Sequence, residues 1–282
     1  MAGSTDVRVD SSGGEVRPPA RIHILLARSA PVGLVWRRGP SKQVCAVGWN
    51  RLDDTFLVGQ WFRGRIYGRR SDLSPDGRYL IYFGLQGRQG SNVSTSFTAI
   101  SKAPYLKPIA QWDKADSQYG GGLFVDRNTY WINGERGHQP VKTPRDLQKA
   151  AHYPGENSYG SDCASVYFLR LQRDGWALKD YQDKPETDRV GVFEKPADKG
   201  WVLRKVAHST AATSDTHELI HAAKGTQLAF PDWEWADMDR SRVVWSKDGK
   251  LFTAQLGENG LQGEKQLYDF NPLAFVARPV PY

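Results

Sequence analysis

The dipeptide Asp-Gly stands between short apolar runs at two distant places in this chain. One is Asp76-Gly77, within Ser74-Pro75-Asp76-Gly77-Arg78 and ahead of Tyr79-Leu80-Ile81-Tyr82. The other is Asp248-Gly249, within Ser246-Lys247-Asp248-Gly249-Lys250 and ahead of Leu251-Phe252-Thr253-Ala254. In that setting the pair is a strong short-range signal for a tight turn between antiparallel strands. The copies lie 172 residues apart, four steps of 43. A strand-turn-strand period of about 40–45 residues is the mark of a β-propeller, with one four-stranded sheet per blade. The spacing therefore predicts an all-β chain in which residues 75–78 and 247–250 occupy equivalent turns.

Apolar runs of five to eight residues recur from Arg21 onward between turn signals. Strands are expected over 22–27, 33–37, 44–49, 55–62, 66–67, 79–85, 96–102, 106–112, 123–125, 130–132, 166–171, 176–181, 190–195, 201–207, 227–230, 243–246, 251–256, 265–270 and 275–278. Arg173-Asp174-Gly175 is read as a further hairpin turn. Residues 1–20, rich in Gly, Ser and Pro, are expected to form a disordered tail. Residues 134–165 read as a long polar insertion in the single domain 21–282. Dividing that domain by 43 gives about six blades, and setting the insertion aside leaves five. The ring is expected to close by the N-terminal strand 22–27 completing the last blade beside 275–278. The 33 aromatic residues suit stacked sheets.

Composition narrows the setting. Met1 to Asp6 lack the apolar core of a secretory signal, and no apolar run approaches the roughly 20 residues that cross a bilayer. Cys45 and Cys163 show no CxxC pattern, and a cytoplasmic protein with reduced thiols is expected. The formal net charge is +7. All of the excess lies in residues 1–100, with 14 Lys or Arg against 7 Asp or Glu. Its densest part is Arg63, Arg65, Arg69 and Arg70, interleaved with Trp61, Phe62 and Tyr67. Such a strip can follow a phosphate backbone and stack on bases. It also fits a solvated strand face, the reading preferred here because no nucleic-acid motif accompanies it.

His217-Glu218-Leu219-Ile220-His221 matches H-E-x-x-H. On a helix its histidines could share zinc, with Glu218 as general base and Glu234 as a third ligand. The flanking runs predict a strand instead, on which His217 and His221 share a face about 13 Å apart. Asp72, Asp126, Glu194, Glu234, Asp237 and Asp239 are candidate acids for a central funnel, where paired carboxylates could hydrolyse a glycosidic bond. Structural roles in turns and blade edges explain the same residues.

The phrases Ser101-Lys102-Ala103-Pro104-Tyr105, Asp198-Lys199-Gly200-Trp201-Val202-Leu203-Arg204 and Pro231-Asp232-Trp233-Glu234-Trp235-Ala236-Asp237 resemble a family of uncharacterised bacterial cytoplasmic β-propeller proteins. Leu73-Ser74-Pro75-Asp76-Gly77-Arg78 is also similar to the repeat of WD40-like and TolB-like propellers. The resemblance implies the fold and carries no reaction. The leading expectation is a non-enzymatic binding or scaffold protein that presents loops to a protein or small ligand, with Arg63, Arg65, Arg69, Arg70, Trp233 and Trp235 as candidate binding residues and no cofactor. The alternatives are a hydrolase using funnel carboxylates or zinc, and weak nucleic-acid binding through 63–70.

Overall fold

A computed structural model describes residues 18–40, 42–87, 94–134, 136–184, 188–210 and 213–282. Over these residues the chain is nearly all β, arranged in five sheets laid down in chain order. The first holds β1 (Arg21–Leu26), β2 (Val32–Arg38), β3 (Gln43–Asn50) and β4 (Thr55–Arg63) as an antiparallel meander. The second is built from β5 (Arg65–Ile66), β6 (Asp72–Leu73), β7 (Tyr79–Gly87), β8 (Ser94–Lys102) and β9 (Pro108–Lys114). The third pairs β10 (Gly122–Phe124) with β11 (Thr129–Ile132). From there β12 (Gln139–Lys142) returns to the edge of the second sheet against β9, and β13 (Gln148–Lys149) runs parallel to β11.

A buried helix, α1 (Ala164–Arg173), follows. The fourth sheet is β14 (Ala177–Lys184), β15 (Asp188–Pro196), β16 (Val202–His208), β17 (Thr216–His221) and β18 (Thr226–Phe230). The fifth is β19 (Trp235–Asp239), β20 (Arg242–Lys247), β21 (Lys250–Gly257) and β22 (Gly260–Asp269).

Apolar faces bind each sheet to the next. Leu25, Trp36 and Ala46 of the first pack with Leu80, Tyr82 and Ala99 of the second. Ile81, Ile100 and Ala110 of the second pack with Phe124, Tyr130 and Ile132 of the third. Leu123 and Trp131, the helix residue Phe168, then Phe193, Leu203 and Leu219, and finally Trp245 and Ala254 form one continuous cluster through the third, fourth and fifth sheets. Val244, Leu251 and Phe270 bring the fifth sheet against Ile24, Val47 and Trp49 of the first.

Several expectations require correction. The run 166–171 is helical rather than a strand. Eight of the ten α1 residues are buried, from Ala164 through Leu171, so no polar stripe marks the helical period. Asp174-Gly175 consequently ends a helix, with Gly175 at φ 89°. Asp248-Gly249 is the expected two-residue hairpin between β20 and β21, with φ 50° and 73°. Both positive angles match the type I′ turn.

Asp76-Gly77, however, links β6 to β7, the first and second strand positions of its sheet, whereas Asp248-Gly249 links the second and third strands of the fifth. The two turns are not equivalent, and the four-step spacing is a coincidence of local turn chemistry. The N-terminal strand does not complete the last sheet either. β1 pairs with β2 along its whole length, and 275–278 is not a strand. Its tie to the last sheet is made by side chains: the Ala20 amide donates to Asn271 Oδ1 (2.9 Å) and the Ile22 amide to Glu234 Oε2 (2.8 Å). The proposed tail lies outside the described residues up to position 17, while Ala20 is buried. The 134–165 segment holds β12 and β13 and so is partly sheet.

Candidate functional site

The H-E-x-x-H residues lie on β17, whose alternating burial puts His217, Leu219 and His221 on the inner face. His217 Nδ1 donates to the Trp233 carbonyl (3.2 Å), and burial pushes its pKa down to about 3. The His221 ring meets Trp201 edge-on at 5.2 Å. Glu218 faces the other way, accepting from Gln227 Nε2 (2.9 Å) with Arg204 at 3.6 Å. Among the described residues no group of three His, Cys, Asp or Glu is placed to hold a metal ion.

The basic strip is not one surface. Arg63 and Arg65 are exposed, with Arg63 lying over the Phe275 ring at 4.6 Å. Arg69 and Arg70 turn inward on the 3-10 turn 68–70. Arg69 pairs with Asp215 (2.7 Å) and donates to the Thr210 and Thr213 carbonyls. Arg70 is buried and donates to the Ser117 and Tyr119 carbonyls. Neither the continuous nucleic-acid strip nor the simple solvated face describes them. Trp233 is likewise a core residue, stacked between Phe230 (3.9 Å) and Trp245 (4.7 Å), rather than a surface platform.

Of the six candidate acids, two reach a common cavity. Asp126 caps its own turn through the Asn128 and Thr129 amides, Glu194 pairs with Arg204 (2.7 Å), and Asp239 pairs with Arg51 and Arg242. Glu234 holds β1, and burial raises its pKa. Asp72 and Asp237 line a cavity of about 420 Å³ between β1, α1 and β19. Trp235 and Trp176 contribute aromatic walls, and the exposed Arg28 and Gly175 stand at its rim.

The cavity is organised by ion pairs between separate elements. Arg173 of α1 grips Asp72 through Nη1–Oδ2 (2.5 Å) and Nη2–Oδ1 (2.8 Å), and its Nε bonds Asp174 (2.9 Å). Asp72 Oδ2 also accepts the Phe124 amide (2.7 Å), so one buried carboxylate joins β6, β10 and α1. Arg170 donates to the Gly68 and Ser71 carbonyls and to His23 Nε2. Burial, reinforced by Arg170, holds the His23 pKa well below the usual value, which leaves its ring neutral and able to accept. Lys195 Nζ pairs with Asp237 Oδ1 (2.7 Å). For Asp237 burial alone would raise the pKa; Lys195 and Lys205 outweigh it and the net shift is downward.

Lys205 differs from these cations. On β16 the alternation Leu203, Lys205, Ala207 sends it to the buried face. It is 1% exposed, at the inner wall of the cavity. Its Nζ sits 4.5 Å from the Trp176 ring centre and 6.0 Å from that of Tyr167. Among the described residues it has neither a hydrogen-bond nor an ion-pair partner. Burial lowers its pKa to about 8, against the opposing pull of Asp215 and Asp237. The sequence signal was available, a lysine in phase with core residues, but it belongs to no motif.

A second cavity of about 30 Å³, room for a single water-sized occupant, lies at the other end of β1 and α1. Arg21, Arg38, Arg69, His23, Cys163, Asp215 and Glu234 are among its walls. Burial, with Arg21 and Arg69 nearby, lowers the Arg38 pKa to about 10.

No family model and no curated protein matches the chain. Loose structural likenesses exist. The AtxE2 isopeptidase, as its S527A variant with Astexin3-dC4 bound, is 13% identical with a TM-score of 0.42, over 90% of this chain and 53% of its own. This chain thus spans about half the isopeptidase's length. The uncharacterized protein lmo1340 from Listeria monocytogenes EGD-e is 8% identical with a TM-score of 0.32, over 95% and 87% of the two chains. The AfRom2 CNH domain is 10% identical with a TM-score of 0.26, over 91% and 75%. At these scores no activity or arrangement carries over.

Proposed function

We propose that the five sheets are the blades of one propeller ring and that the protein is a non-enzymatic binding protein for a small organic anion. The order of packing, with each sheet on the next and the fifth on the first, supports the ring. The free thiols Cys45 and Cys163 are in keeping with a cytoplasmic setting. Among the described residues no helix is long and apolar enough to cross a membrane.

One observation carries the ligand class: the cavity wall holds a buried ammonium, Lys205, without an acceptor. Buried charges are ordinarily paired, because desolvation without compensation is costly. Arg28, Arg170, Arg173, Lys195 and Lys205 face three carboxylates, Asp72, Asp174 and Asp237, so the wall carries a surplus of positive charge. Asp72 and Asp237 are engaged by Arg173 and Lys195, which weighs against the funnel-acid hydrolase. Thermal-shift titration with acetate, lactate and citrate tests the reading. At least one should stabilise the wild type and leave Lys205→Met unmoved. Equal shifts in both proteins, or none in either, would reject it.

A further inference from the structure

We propose that Lys205 is an imine-forming amine and that the cavity takes small oxo acids, compounds with an aldehyde or ketone beside a carboxylate. This rests on the reading of the cavity as an anion site and names its ligand class. The first support is position. The side chain ends at the Trp176 and Tyr167 rings, whose faces favour a cation, but among the described residues it has no hydrogen-bond acceptor and no ion-pair partner. A desolvated lysine beside other cations is the environment that leaves an amine neutral and nucleophilic. The groups that act on it come from several elements: Tyr167 and Arg170 of α1, Lys195 of β15, Asp215 ahead of β17 and Asp237 of β19. Lys195 and Arg170 favour the neutral amine, while Asp215 and Asp237 favour the cationic forms, ammonium and iminium alike.

The second support is a handle for the carboxylate. Arg28 stands at the rim with Nη2 on the Phe124 and Val125 carbonyls (3.2 and 3.3 Å), and among the described residues it has no carboxylate within ion-pair distance. Arg173, by contrast, is fully engaged by Asp72 and Asp174. A ligand carboxylate at Arg28 would leave the carbonyl end to the inner wall.

The step balances without an external oxidant or reductant. The Lys205 nitrogen pair forms a C–N bond to the carbonyl carbon while the C=O π pair moves to oxygen, which takes up the proton that the nitrogen gives up. The carbinolamine hydroxyl then leaves as water with a proton from solvent, and the nitrogen pair closes the C=N bond of an iminium that keeps the remaining N–H. Water is the only product released, and the link reverses by hydrolysis.

The test is reductive trapping on the full chain. Glyoxylate or pyruvate is added with cyanoborohydride, followed by intact mass and peptide mapping. One adduct per chain is expected on Lys205, with the mass of the oxo acid less water plus two hydrogens. It should be lost in Lys205→Met and Lys205→Arg, and form at least fivefold faster at pH 8.5 than at pH 6. Arg28→Gln should slow trapping of glyoxylate at least fivefold and leave trapping of neutral propanal unchanged. Circular dichroism of each variant establishes that it is folded. Stabilisation by lactate and pyruvate alike, with no adduct on Lys205, would overturn the imine and leave the anion site standing. Adducts spread over surface lysines equally in Lys205→Met would overturn it as well. Neither adduct nor thermal shift would remove both.

Discussion

Arg173 and Asp72 are joined by two parallel hydrogen bonds across 101 residues of chain, with side chains only 10% and 2% exposed. The pair fixes α1 against β6, and the Phe124 amide on the same carboxylate extends the lock to β10. Removing one partner of a buried pair strands the other charge, at a cost of about 3–5 kcal/mol. Arg173→Ala should lower the urea midpoint by a corresponding amount. Arg173→Lys should recover only part of it, since a point charge cannot make both bonds. Equal stability of Arg173→Ala and wild type would show that the pair is not a structural lock.

Lys205 makes stability rise with pH in an alkaline window. Burial holds its pKa at about 8 in the folded chain, while the unfolded chain keeps the ordinary value of 10.5. Between those values the unfolded state binds more protons, so raising the pH favours the fold. Lys205→Met should lack that rise and be more stable at pH 7 by up to about 3 kcal/mol, the equivalent of the shift. Urea unfolding of both proteins at pH 7 and pH 10 measures the difference. A variant less stable at pH 7 would show that Lys205 stabilises the fold.

The acid side is governed by two buried histidines. His217 is pushed down to about 3 and His23 well below its ordinary 6.5, each first by burial. Above pH 6.5 both states are neutral and neither histidine contributes. As the pH falls below 6.5 the unfolded chain takes up protons that the folded chain refuses, down to about 3 for His217, and stability falls by up to about 1.4 kcal/mol per pH unit for each histidine. His217→Gln should flatten that limb by one histidine's share. The comparison is between slopes of unfolding free energy at pH 7, 6, 5 and 4, so any constant packing cost cancels.

Gly121 sits at φ 74°, and an added Cβ would lie 1.9 Å from the Arg70 carbonyl oxygen. Backbone cannot swing aside as a side-chain tip can. Gly121→Ala therefore combines left-handed strain with a clash, and a loss of about 2–4 kcal/mol is expected. The contrasting Gly225→Ala has φ 61° and open space around it. Its cost should stay near the about 1–2 kcal/mol of the backbone conformation alone. Equal losses in thermal unfolding would contradict this account.

Most strands were legible because their apolar runs alternate or continue between turn residues, as in Val44 to Trp49 and Leu251 to Leu256. The helix was not: Val166 to Leu171 is buried all round, and a fully buried helix and a fully buried strand look alike over six residues. Asp72 and Asp237 could be named as acids, but their partners Arg173 and Lys195 lie 101 and 42 positions away, and nothing local marks such pairs. Lys205 could have been found from Val202 to His208, where it falls in phase with Leu203 and Ala207. The Asp-Gly copies misled because that dipeptide reports the backbone of one turn and not the rank of that turn within a sheet.

His217-Glu218-Leu219-Ile220-His221 gives the last prediction. On β17 the two histidines share the buried face, but four residues of strand separate them by about 13 Å, beyond the reach of one ion. His217 Nδ1 is engaged by the Trp233 carbonyl and the His221 ring by Trp201, while His217 Nε2 and His221 Nδ1 are buried with no hydrogen-bond partner among the described residues. Glu218 points to the opposite face, where its contacts with Gln227 and Arg204 are partly exposed. Glu218→Gln should therefore change stability by no more than about 0.5 kcal/mol, as for a surface site. Purified protein should hold well under one zinc per chain by elemental analysis, and added zinc should not raise its unfolding temperature. One bound zinc per chain, lost in either His217→Ala or His221→Ala, would place a metal at this segment and require β17 to abandon its extended form.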